Sequence, residues 1–313
     1  MKMILIITNS EDKTVDYFLR SVSNTHFRFN TDNFLIDYDF DFSQEWYIHD
    51  KNKDKLVNHN NIGGIYYRRP VLPYLNVKGI NNDLLKQLQN EAYDLYDNFI
   101  NSIETKYLNT KYNILKAENK LLQMKIAESI GFSVPKTIIT NNKNALNIFM
   151  DKSKKYCIKP LYLGFFELNG KNFIPYTAII EKTDYDLITN FPALIQEYID
   201  KKYEIRVTCV GDKIFPVKIL SQSNNNTIID WRVDNCSAVD YKKMTINKSM
   251  KTMCLNLLSQ FNLNFACIDL IISKNNKVYF LDLNPNGQWA WLDEILELGI
   301  AKEIERYFYG RKR

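Results

Sequence analysis

The alternation of apolar runs and polar connectors predicts an α/β unit over the first ~110 residues. Residues 4–7 form an unbroken apolar run that reads as a buried strand. Residues 12–21 carry Val15, Phe18 and Leu19 on one face, the spacing of a helix. Residues 34–36 and 46–48 are further strand candidates, and Gly63-Gly64-Ile65-Tyr66-Tyr67 leads into Arg68-Arg69-Pro70. After Pro73 and Gly79, apolar positions from Leu84, Leu85 and Leu88 to Ala92, Leu95, Tyr96 and Phe99 predict a long helix over 82–101. A second region opens at Asn119-Lys120 with a helix that Gly131 stops. An extended segment follows over 134–139, then a short helix over 144–150. The strand 156–159 is ended by Pro160, and 161–176, with Gly164 and Gly170, reads as a loop or hairpin. From Ala193 the signal is mainly β. Residues 203–210 and 213–220 flank a Gly211-Asp212 turn, with Pro216 expected at a strand edge. A helix over 249–260, a second hairpin and a C-terminal helix over 292–307 complete the pattern.

Composition narrows the classes. A chain of 313 residues, 45% hydrophobic and 25% charged, has ample core for two domains or three small packed ones. Lys plus Arg exceed Asp plus Glu by 41 to 36, too thin an excess for a nucleic-acid surface. Arg311-Lys312-Arg313 reads as a solvated tail. No run approaches the ~20 apolar residues of a membrane helix, and the N-terminal apolar stretch is too short for a signal peptide. The expected location is cytoplasmic. Cys157, Cys209, Cys236, Cys254 and Cys267 are scattered and suit reduced, buried thiols. His26, His49 and His59 make neither a zinc site nor a Cys–His pair, so carboxylates, lysines and arginines must carry any chemistry.

Residues 265–284 hold the most informative pattern. Two apolar strands, 265–272 and 278–284, flank a polar turn. If the turn centres on Asn275-Asn276, Asp269 and Asp282 face each other with Cβ atoms ~5 Å apart, and Asn284 shares that face. Opposed carboxylates repel unless neutralised, and a hard cation with bridging phosphates would do so. A register shift would instead send one Asp to solvent. Lys159 ends an apolar strand and Lys120 opens a helix, both favourable to phosphate, although each also fits a snorkelling side chain. Glu204 with Arg206, and Asp230 with Arg232, fit strand ion pairs as well as a site.

Taken in order, Lys120, Gly131, Pro135-x-Thr137, Ile158-Lys159-Pro160, Ile195-Gln196-Glu197-Tyr198-Ile199, Glu204-Ile205-Arg206, Asp230-Trp231-Arg232, Asp269 and Asp282-x-Asn284 resemble the ATP-grasp superfamily. Tyr66-Tyr67-Arg68-Arg69-Pro70, Ser221-Gln222 and Asp282-Leu283-Asn284-Pro285-Asn286-Gly287-Gln288-Trp289 resemble, within it, the microviridin-type graspetide synthetases, which close side-chain rings in ribosomally made peptides. The resemblance implies an α/β (α+β) ATP-grasp fold. Its parts are a pre-ATP-grasp domain (1–115), a central lid domain (116–195) and a C-terminal antiparallel-sheet domain (196–313).

It also implies site roles. Lys120 and Lys159 would hold ATP phosphates, the main chain from Gln196 through Glu197 and Tyr198 to Ile199 the adenine, and Glu204 the ribose. Asp269, Asp282 and Asn284 would bind Mg²⁺. Arg206 and Arg232 would sit near the γ-phosphate or the acceptor carboxylate, and Arg68, Arg69 and Arg232 would bind substrate. Many superfamily members have Glu where this chain has Asp282, and Gly164 and Gly170 are few glycines for a phosphate-covering loop. The implied partner is a precursor peptide with a leader and an acidic core containing Thr or Lys; a homodimer is left open. The rival readings are another ATP-grasp carboxylate–amine ligase, such as one adding glutamate to a protein C-terminus, and a nucleotide-binding interaction protein without turnover.

Overall fold

The computed structural model describes residues 2–73, 75, 79–161, 166–168, 171–173, 175–181, 184, 192–233 and 239–310. Gly164, Gly170, Cys236 and the Arg311-Lys312-Arg313 tail lie outside these residues.

Met3–Thr8 is buried at every position because it is the middle strand of a parallel sheet, between His26–Asn30 and Ile62–Tyr67. The helix Lys13–Ser21 covers that sheet. Asp12 caps it by accepting the N–H groups of Thr14 and Val15 at 3.0 and 3.3 Å. Tyr38–Asp41, Tyr47–Asp50 and Lys55–Asn58 form a separate antiparallel meander, so the strand expected over 46–48 is present, shifted by one or two residues. The strand expected over 34–36 is not. Phe34–Asp37 is a helical turn following the 3₁₀ turn Thr31–Asn33. Only Phe34 enters the core, while Ile36 is 72% exposed, so this apolar triplet never needed a two-sided strand environment. In the helix Asn82–Ser102 the inward residues are Ala92, Tyr96, Phe99 and Ile100. Leu84, Leu88 and Leu95 stay exposed.

The helix Lys120–Ile130 ends as expected at Gly131, whose φ of +109° lets its N–H reach the carbonyls of Ala127 and Glu128. The central sheet runs Ala178–Ile179, Tyr156–Lys159, Ala193–Glu197, Thr137–Thr140, all antiparallel. The C-terminal sheet has five antiparallel strands in the order Tyr241–Lys243, Lys213–Ile219, Lys201–Val210, Phe265–Ser273, Val278–Asn284. Pro216 lies one position past the outer pairing of Val217 with Lys243. Its carbonyl accepts the Met244 N–H, so its missing donor faces that short outer strand's end rather than a full ladder.

One side of the C-terminal sheet packs Val207, Cys209, Ile268 and Leu270 against Leu257, Leu258 and Phe261 of or beside the helix Lys248–Gln260. Another core joins Ile4, Ile6, Phe18 and Tyr66 of the first domain to Trp289, Ile300 and Ile304. Trp289 is fully buried and donates its indole N–H to Tyr66 Oη at 3.2 Å, fixing the last domain directly against the first. Among the described residues no helix is long and apolar enough to cross a membrane.

Candidate active site

The site is built on the strands Phe265–Ser273 and Val278–Asn284. Every residue of the first is buried except Asp269, the single break in an apolar strand. Asp269 pairs with Asp282 on one side and with Arg206 on the other, giving a row of three charged residues across three strands. Asp269 and Asp282 pair as expected, but the register between them and the turn is different. The turn closes one residue earlier than expected, with Ser273 bonded to Lys277 and Asn276 at φ +64°. Pairs near the turn, such as Ile271 with Tyr279, keep that tighter register. Leu281 is then an extra residue, a bulge that turns Asp282 and Asn284 onto Asp269's face.

Each carboxylate has a cation. Arg206 Nη1 bonds both oxygens of Asp269 at 2.9 and 3.0 Å, and Lys120 pairs with Asp282. Burial pushes the Asp269 carboxyl up, Arg206 pulls it down, and neighbouring Asp282 adds to the rise, which prevails. For Arg206 burial opposes the charge, but Asp269 and other nearby groups outweigh it and hold the guanidinium charged. Lys159 is enclosed at the end of Tyr156–Lys159, and burial lowers its pKa. None of the described residues forms an ion pair with it.

These groups line one cleft of about 860 Å³ between the central and C-terminal sheets. That is the size of a small-ligand or nucleotide site. At one end, Gln196 donates to Thr137 Oγ1 at 2.9 Å. Glu197 and Tyr198 spend their backbone N–H groups on Lys136 and Lys155 carbonyls at 2.8 and 2.9 Å. The Ile199 N–H has no partner among the described residues, and Ile199 lines the cleft, whose walls include the apolar Met124, Leu194, Ile271 and Leu281. A free donor amid apolar side chains suits the edge of a heteroaromatic base. The Glu197 side chain turns to Lys154 at 2.7 Å. Glu204 is buried against Lys201 at 2.7 Å; burial raises its pKa and Lys201 partly reverses that.

Arg232 is held by Asp230 through Nε at 2.8 Å and Nη2 at 2.5 Å, and lies over the Tyr176 ring. Asp230 also accepts the Thr177 N–H at 3.1 Å, tying the two walls of the cleft together. Arg69 lies at the first-domain end of the cleft. It is exposed, its Nε donates to the Asn286 carbonyl at 3.1 Å, and it stands beside the Arg68 charge, so it gains from an anion.

Arg68 is a correction. It is 0% exposed and does not line the cleft, because its Nη groups are bonded to the turn after Asn284 and its Nε is ion-paired with Asp12. The other expected residues, Lys120, Lys159, Gln196, Glu197, Tyr198, Ile199, Glu204, Arg206, Arg232, Asp269, Asp282, Asn284 and Arg69, are brought together there. Sequence reasoning missed Lys13, Lys201, Gln288 and Trp291 on the same walls, and Gln123, whose amide bonds both the N–H and C=O of Leu283. A polar residue on the inward face of an amphipathic helix was the available signal for Gln123.

Among the described residues no three His, Cys, Asp or Glu side chains cluster. A metal here would take Asp269, Asp282 and the Asn284 amide oxygen, with phosphate oxygens completing its shell. The donors are all hard oxygens, and both carboxylates already require positive charge at this depth, which fits Mg²⁺.

Comparison with known proteins matches residues 3–114 to the MvdD pre-ATP grasp domain and residues 117–308 to the RimK-like ATP-grasp domain. A RiPP-associated ATP-grasp ligase from Chryseobacterium gregarium, solved with ADP and a leader and core peptide, is 25% identical. It superposes with a TM-score of 0.88 over 100% of this chain and 98% of its own. The macrocyclase MdnC of Microcystis aeruginosa MRC, bound to precursor peptide MdnA, shares the fold at 23% identity and TM-score 0.85, over 98% and 99% of the two chains. A tetrahydromethanopterin:alpha-L-glutamate ligase of Methanocaldococcus jannaschii is 22% identical over 226 residues, 67% of this chain and 74% of that protein.

Proposed function

The chain belongs to the RimK-like ATP-grasp family of ligases, and on that premise we propose that it is an ATP-dependent macrocyclase of a ribosomally made precursor peptide. In this reading a core Asp or Glu carboxylate attacks the γ-phosphorus of ATP, giving an acyl phosphate and ADP. A Thr or Ser hydroxyl, or a Lys amine, then attacks the acyl carbon, loses its proton and expels phosphate. Ester rings are the favoured product and amide rings the other. The precursor carries a leader, and its acidic core supplies both partners of each ring. We divide the chain at 1–115, 116–195 and 196–313.

The residues have separate tasks. Lys120 and Lys159 bind phosphate; Lys159 gains most, since an anion supplies a charge partner that none of the described residues gives it. The Ile199 N–H, with the chain at Glu197 and Tyr198, holds the base, and Glu204 with Lys201 the ribose. Asp269, Asp282 and Asn284 hold Mg²⁺. When bound, Mg²⁺ offsets charge on the phosphate oxygens. Arg206 and Arg232 face the transferring phosphoryl group and the acceptor carboxylate, and Arg69 the incoming peptide. Preorganised cations of this kind act where charge builds during transfer. No covalent enzyme nucleophile is needed. The free, buried Cys157, Cys209, Cys254 and Cys267 suit a reducing cytoplasm.

The observation that carries this reading is the likeness along the entire chain, first domain included, to a ligase holding ADP with leader and core peptide. The test is incubation with ATP, Mg²⁺ and a precursor peptide that carries a leader and an acidic core with Thr, Ser or Lys. The reading expects peptide-dependent ADP release and one water lost from the peptide per ring. The curated glutamate ligase supports a second reading, transfer of a free amino acid. ADP release driven by glutamate alone, with the peptide unchanged, would favour it.

A further inference from the structure

Arg68 stands at the end of the first domain's edge strand, yet its Nη groups reach into the last domain. Its Nη1 donates to the carbonyls of Asn286 and Gly287, both at 3.2 Å, and its Nη2 to Gln288 Oε1 at 2.8 Å. Its Nε faces Asp12 at 3.1 Å. Asp12 is itself fixed by Thr8 Oγ1 at 3.0 Å and by the helix N–H groups it caps. Gln288 Oε1 also accepts the Thr14 hydroxyl. From the other side, Arg206 Nη2 donates to the Gln288 carbonyl at 3.1 Å, and the same guanidinium grips Asp269. Gly287 lies so close to the sheet that a Cβ there would stand 2.5 Å from Cys267 Cβ and Sγ. The turn that begins with Asn284 is therefore held from the first domain by Arg68, with Arg69 Nε also on the Asn286 carbonyl at 3.1 Å, and from the sheet by Arg206.

We infer that Arg68 is a positioning residue: it fixes the Asn284–Gln288 turn, so that the first domain governs how tightly the Mg²⁺ and nucleotide site binds, without Arg68 touching either ligand. The inference rests on the ligase reading and adds a second task for the first domain besides meeting the peptide. The planar fork is essential, because only a guanidinium reaches Asp12, two carbonyls and an amide oxygen at once. An ammonium keeps the charge and loses the geometry. Partners that orient ligand-bearing groups in this way typically change metal affinity by about 10–100-fold when replaced.

The test compares wild type, Arg68→Lys and Thr14→Val by calorimetric titration of Mg²⁺ with a non-hydrolysable ATP analogue, without peptide. Peptide affinity is measured separately, and thermal unfolding checks that each variant folds. Arg68→Lys is expected to weaken Mg²⁺-dependent analogue binding about 10-fold or more and to leave peptide affinity within about twofold. Thr14→Val, which removes a donor to Gln288 from outside the cleft, shifts binding the same way by less and carries the test if Arg68→Lys does not fold. Unchanged analogue binding in a folded variant overturns the inference, as does a loss confined to peptide affinity. If wild type itself binds no Mg²⁺ and analogue, the ligase reading falls first and takes this inference with it.

Discussion

Asp282 faces Asp269 because its strand carries one residue more than its partner. Near the turn Leu270 pairs with Phe280, and beyond the bulge at Leu281 Asp269 pairs with Asp282. Were the register near the turn continued with no bulge, Leu281 would face Asp269, and Asp282 and Asn284 would point to the opposite side of the sheet, since side chains alternate along a strand. The bulge thus converts an ordinary hairpin into one that presents two carboxylates and an amide to one cleft.

Asp269→Asn removes the charge at the centre of the row Arg206–Asp269–Asp282 and keeps the shape. Its ADP formation should fall at least ~100-fold, with a cooperative unfolding transition retained. Initial rates of ADP release with circular dichroism check this. A variant near wild-type turnover would remove Asp269 from the metal site.

Lys159→Met should separate stability from binding. Burial lowers the Lys159 pKa, so in the alkaline range between the folded and unfolded values the unfolded chain binds the extra proton and stability rises with pH. The neutral variant is expected to raise the melting temperature of the free protein while weakening ATP at least ~10-fold. Melting curves and ATP titrations at neutral pH measure the two effects.

Asp230 supplies an acid-side test. Burial works against its charge, but bonds from Arg232 and the Thr177 N–H prevail and bring its pKa to about 2. A depressed carboxylate contributes stability above its unfolded pKa and loses it as pH falls through about 2. The contribution is roughly 2 kcal/mol. Urea unfolding between about pH 4 and 2 should show this loss in wild type and lack it in Asp230→Asn.

Much of the site was legible because its charges interrupt apolar strands. Lys159 stands out by being costly to bury, Asp269, Asp282 and Asn284 by their pairing and spacing, and Arg206 only through the family resemblance. Arg68 was misplaced for a physical reason. Arg68 and Arg69 are adjacent in sequence, but Arg69 takes a positive φ of 46° and its side chain goes to the cleft, while Arg68 turns into the domain junction. Nothing local encodes that divergence. The triplet Phe34-Leu35-Ile36 failed similarly, since its helical turn is set by the reversal after Asn30 rather than by its own pattern.

Gly287→Ala tests the close packing of the turn. Its Cβ would also lie 3.2 Å from Arg206 Nη2, so both the sheet and the Arg206 fork must shift. The expected cost is about 1–3 kcal/mol, with a marked loss of ADP formation, and Cys267→Gly in the same chain should restore part of both. Chemical denaturation of the single and double variants decides it; a fully stable, active Gly287→Ala would show that the turn has slack.

The most direct test of carboxylate activation uses precursor peptide whose Asp and Glu side-chain oxygens are labelled with ¹⁸O, incubated with this protein, ATP and Mg²⁺. Transfer through an acyl phosphate leaves one labelled oxygen in inorganic phosphate for every ring formed. Rings formed with unlabelled phosphate, or ADP released while the peptide keeps all its label, would contradict the account.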